Sequence, residues 1–119
     1  MSPEEFVEAV RTQVRDAAAS DVIRQLEKPS GRRPTEELLR LSEWFSRLSD
    51  ADKEAVAGVA RMASHHAVFG LLCVLDGVRA IEDKADKGTL RLTYSKDGET
   101  QLLSPSDSNL LHDLLNARN

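Results

Sequence analysis

The residues with the most chemical potential fall close together in the sequence: His65-His66, Cys73 and Asp76. A histidine pair invites a metal or acid–base reading. Neighbouring positions on a helix point about 100° apart, which keeps two adjacent rings from chelating one ion. His66 and Cys73 share a side of a helix, but seven residues rise roughly 10.5 Å, whereas zinc holds each ligand atom within about 2.0–2.3 Å. Only His112-Asp113, from far along the chain, could complete such a set. No metal and no cofactor is therefore expected. Cys73 lies between Leu71-Leu72 and Val74-Leu75, and apolar burial raises a thiol's pKa and makes it inert. Asp76 is the acid to watch, because its flanks are apolar. Arg79, one turn on, is its expected partner, and a buried functional carboxylate is the sharper reading. His65, His66 and Asp76 together define the ligand-pocket or enzyme-like alternative.

The remaining charged groups have simpler explanations. Glu4-Glu5, Glu36-Glu37, and Asp50 with Asp52 each fall in or beside the first turn of an expected helix. There the helix dipole stabilises a negative charge by ~0.3–1 kcal/mol. Arg32 and Arg33 precede a helix start and form a candidate anion site with its free N–H groups. No phosphate-loop pattern such as G-x-x-x-x-G-K-[ST] supports that reading.

The elements that must carry these residues follow from periodicity. Ser2-Pro3-Glu4-Glu5 reads as a helix start with a capping box. Phe6, Val10, Val14, Ala17-Ala18, Val22 and Leu26 continue one stripe, which predicts a helix from about residue 3 to 27. Two prolines and Gly31 make 28–34 a loop. A second helix is expected over about 35–48, with Leu38, Leu41, Phe45 and Leu48 on one face and Trp44 beside them. Ser49 and Asp52 then supply caps for a third, long helix. Its stripe of Ala60, Ala63, Ala67, Gly70, Val74 and Gly77 would let neighbours approach closely, which places it at the centre of a bundle. Helical spacing through Leu71, Val74, Leu75, Val78 and Ile81 extends this helix to about 82. The rival reading of 71–82 is a hairpin turning at Asp76-Gly77. Leu90, Leu92 and Tyr94 alternate with polar residues and mark a strand, and Lys96-Asp97-Gly98 turns it back into a second strand ending at Ser104. Ser106 or Ser108 should cap a last helix over 107–117.

The expected fold is thus α+β and predominantly helical: a three-helix core over 1–82, a β-hairpin over 89–104 and a C-terminal helix, forming a single domain over 1–119. Composition agrees. Apolar residues make up 40%, but aromatics number one Trp, one Tyr and three Phe, which suits helix-on-helix packing better than a β-sandwich. The net charge of −4 and scattered basic residues disfavour a nucleic-acid partner. A lone cysteine fits a reducing compartment. The segment Met1–Phe6 lacks the basic and apolar regions of a signal peptide, and Ala67–Ile81, interrupted by Asp76 and Arg79, falls short of a membrane span. The cytoplasm is the expected location, and no membrane is expected as partner. With no catalytic constellation, association is the expected activity. The chain would be a small protein-binding module, either a self-associating accessory domain or an inhibitor- or immunity-type partner. Leu102, Leu103, Leu111 and Leu115, on the hairpin and last helix, are the expected contact residues. Open strand edges beside them could accept another protein or a second copy.

Overall fold

The computed structural model describes residues 1–117, so the last two positions of the expected 1–119 domain lie outside it. It is a largely helical α+β chain: α1 (Pro3–Val10), a π-helical segment (Arg11–Asp16), α2 (Ala17–Glu27), α3 (Glu36–Ser46), α4 (Asp50–Leu75), β1 (Leu92–Lys96), β2 (Glu99–Ser104) and α5 (Leu111–Asn116). The helix starts follow their local chemistry. Ser2 Oγ accepts from the Glu5 amide at 3.1 Å, Thr35 Oγ1 from Leu38 at 3.1 Å and Ser49 Oγ from Asp52 at 3.1 Å. Each satisfies an amide that has no partner within its own helix.

Contacts divide the chain into two compact units, residues 1–14 with 66 onward, and residues 15–65. The division does not separate a 1–82 helical core from a tail; it puts α1 with the hairpin and α5. In the first unit, Val7, Val68, Leu72, Leu111 and Leu115 form the core, joined by Phe6, Val10, Phe69 and Leu114. In the second, α2 packs on α3, burying Ala19, Leu26 and Phe45. Ser42 Oγ ties the pair by donating to the Leu26 carbonyl at 2.7 Å.

The π-helical segment corrects the first expected stripe. Val14 and Val22 are about half exposed, and the buried positions after the segment are Ala19 and Leu26. A π turn accommodates one extra residue, so the inward positions move from Ala18 and Val22 to Ala19 and Ile23, while Leu26 is buried as expected.

Two corrections concern α4. It ends at Leu75, neither continuing to 82 nor turning into a hairpin. Gly77 takes a φ of +79°, its N–H reaches the Val74 carbonyl at 3.1 Å, and the Val78 N–H reaches that of Cys73 at 3.0 Å. That left-handed glycine closes the helix end. The small-residue stripe is also not the buried face. Of the stripe, Gly70 is buried, Ala60 and Val74 are half-buried, and Ala63, Ala67 and Gly77 are exposed, while Val68, Leu72 and Cys73, outside it, are buried. Burial gain scales with apolar area, so the larger side chains take the interior. By length and composition alone α4 could cross a bilayer, and 22% of its most apolar stretch is buried.

The hairpin has the expected turn, with Asp97 at φ +54° and Gly98 at +80°. Lys96 faces Glu99 and Tyr94 faces Gln101, with a bulge near Leu92-Thr93. Among the described residues the sheet has two strands.

Candidate functional site

Asp76 stands just past the end of α4 with its side chain wholly buried. Oδ1 accepts from Ser104 Oγ at 3.0 Å and from the Leu111 amide at 3.0 Å. Oδ2 accepts from the His112 amide at 2.9 Å and from His112 Nδ1 at 2.6 Å. Leu111 and His112 are the first two residues of α5, so the carboxylate serves as a cap supplied from another element. This replaces the serine cap expected from sequence: Ser106 Oγ instead accepts from Ser108 and Asn109 amides before the helix begins. It also replaces Arg79 as partner of Asp76. Burial alone would push the Asp76 carboxyl up, but the amides of His112 and Leu111, then the His112 ring and Ser104, outweigh it and hold the group below the usual carboxylate range.

The other end of α5 receives the opposite charge. Arg11, 7% exposed, donates from Nη2 to the carbonyls of Leu115 at 2.8 Å and Leu114 at 3.2 Å, and pairs through Nη1 with Glu8. Its Nε is buried without a partner. An anion at a helix N-terminus and a cation at its C-terminus both oppose the helix dipole. A helix of six residues has little stability of its own, and these two remote clamps supply what its length does not.

Ser104, Asp76 and His112 contain the residue types of a hydrolytic triad but not its wiring. A nucleophilic serine must pass its proton to histidine. Here Ser104 Oγ is buried and lies 2.9 Å from the Leu75 carbonyl and 3.0 Å from Asp76. The His112 ring faces Asp76 on one nitrogen and Asp113 at 3.3 Å on the other, and meets Phe69 edge-on. The cluster is built to hold α5 and β2 on the end of α4.

The other sequence candidates lie elsewhere. His65 Nδ1 lies 3.2 Å from Arg15 Nη1 within the second unit. His66 is exposed on α4. The histidine that reaches Asp76 is His112. Arg32 and Arg33 are exposed in the loop before α3. Cys73 is buried, which pushes its thiol up against a smaller opposing pull from Arg79. Among the described residues no three His, Cys, Asp or Glu side chains group to hold a metal. Leu103, Leu111 and Leu115 are committed to the interior, at 2%, 0% and 0% exposure, whereas Leu102 is at the surface. A direct contact role is thus open to Leu102 alone of the four.

The first unit also has a surface cleft of about 510 Å³ where the chain leaves α4. Val74, Val78, Ile81, Leu90 and Pro105 form its apolar walls, with Arg79, Glu82 and Lys87 among them. Apolar spacing hides it in the sequence, because 71–82 reads there as continuous helix. No family model, curated protein or solved structure matches the chain.

Proposed function

We propose that this chain works by association, binding another protein or a second copy of itself through its first unit, and not by catalysis. The observation that carries the reading is the apolar surface there. Leu71, Val78, Ile81, Leu90 and Leu102 are each between 43% and 66% exposed, and three of them line the cleft. Large apolar side chains gathered around a concavity with charged residues among them match the anatomy of a protein contact. The hairpin's unpaired edges add a second means of contact by strand addition. A membrane-spanning role for α4 is the weaker reading, because Val68 and Leu72 would have to leave the core they share with Val7, Leu111 and Leu115.

A photo-reactive amino acid at position 81 or 90 tests the proposal in the cell of origin, alongside light scattering of the pure chain over a wide concentration range. The expected result is a cross-linked adduct at either site, to a second copy or to one recurrent protein, lost on Val78→Asp. A mass of one chain at every concentration, with no adduct from either site, would sink it.

A further inference from the structure

The cleft wall has a charge character that specifies its occupant. A helix C-terminus ordinarily presents free carbonyls and favours cations, but here the last carbonyls of α4 are occupied. That of Cys73 takes the amides of Val78 and Arg79, that of Val74 takes Gly77, and that of Leu75 takes the Ser104 hydroxyl. Glu82, the acid in the lining, accepts from the Gly88 amide at 2.9 Å. Arg79 folds back over Gly70, where a Cβ would come within 2.5 Å of its Nη1. Among the described residues neither the Arg79 side chain nor that of Lys87 is engaged in a hydrogen bond or an ion pair. The result is an apolar trough in which the carbonyls at the end of α4 and the Glu82 carboxylate are engaged and the two cations are not.

Building on the association reading above, we infer that the cleft takes a short segment of a partner protein with aliphatic side chains beside carboxylates. The aliphatic groups pack on Val74, Val78, Ile81 and Leu90, and the carboxylates meet Arg79 and Lys87. About 510 Å³ is a volume typical of compact ligands, which suits a few side chains and not a whole docked domain.

The test uses the full chain and two fluorescein-labelled peptides, one alternating Leu and Glu, the other Leu and Lys, read by anisotropy. The glutamate peptide should bind roughly tenfold more tightly, the factor that two partly screened ion pairs supply. That preference should shrink with added salt and vanish in Lys87→Glu, a surface change that leaves the core intact and sets one anion against the remaining Arg79. Ile81→Asp should abolish binding of the glutamate peptide. Equal binding of both peptides, or preference for lysine, overturns the charge assignment, and no binding of either overturns the cleft as the site. Tighter capture by anionic phosphatidylglycerol vesicles than by the peptide overturns it in favour of a lipid surface. The cross-linking experiment involves no peptide, so association can stand when this assignment falls.

Discussion

At Asp76 one carboxylate accepts four hydrogen bonds from three residues, and its removal leaves two helix amides and a ring nitrogen short of an acceptor, with the Ser104 hydroxyl left to the Leu75 carbonyl. Asp76→Ala should lower the unfolding free energy by about 3–5 kcal/mol, the cost of breaking a buried charged network, measured by urea denaturation. The pH dependence has a defined sign. The folded carboxyl lies below its ordinary value, so its contribution is present in full above the unfolded carboxyl range, near pH ~4. It is lost as pH falls through the folded value. The gap between wild type and Asp76→Ala should therefore be wider above that range and narrow as pH falls below it. The apolar flanks marked Asp76 as unusual in sequence. Its partners were not legible, because Ser104 and His112 lie 28 and 36 positions away and spacing rules reach only one helical turn.

At the scale of elements, α5 owes its place to charges outside itself. Arg11→Met should cost about 1.5–3 kcal/mol, the value of hydrogen bonds to a charged group, and should loosen α5 before α1, read as faster amide exchange at Leu114 and Leu115. The π-helical segment makes a separate prediction about register. Leu26→Ala should cost about 2–5 kcal/mol as a core truncation, whereas Val14→Ala and Val22→Ala should stay within ~0.5 kcal/mol as surface changes. A regular stripe would have made all three comparable. Caps at Ser2 and Ser49, the hairpin turn and both strands were legible because each is fixed by residues within four positions of one another. The π turn was not, since no residue in Arg11–Asp16 announces it. The stop at Gly77 is present in the sequence, but Val78 and Ile81 continue the helical spacing beyond it and mask the break.

For the whole molecule, the first unit joins the two sequence ends while the second is a continuous insertion between them. Units with separate cores open with separate free energies. Hydrogen exchange of Asp76→Ala should therefore show lost protection in α1, α5 and the hairpin, with α2 and α3 retaining theirs; uniform loss across both would contradict two independent cores. The helical α+β class was legible in the sequence but this partition was not, because periodicity reports which face of an element is buried and not which distant element covers it. The joining of the ends also has a temporal side. Arg11 and Leu115 are 104 positions apart, and a ribosome adding roughly 5–20 residues per second needs on the order of 5–20 s to bridge them. Throughout that interval Phe6, Val7 and Val10 have emerged without the leucines that cover them. A nascent chain of this protein thus offers chaperones an early apolar handle, which its own last helix later withdraws.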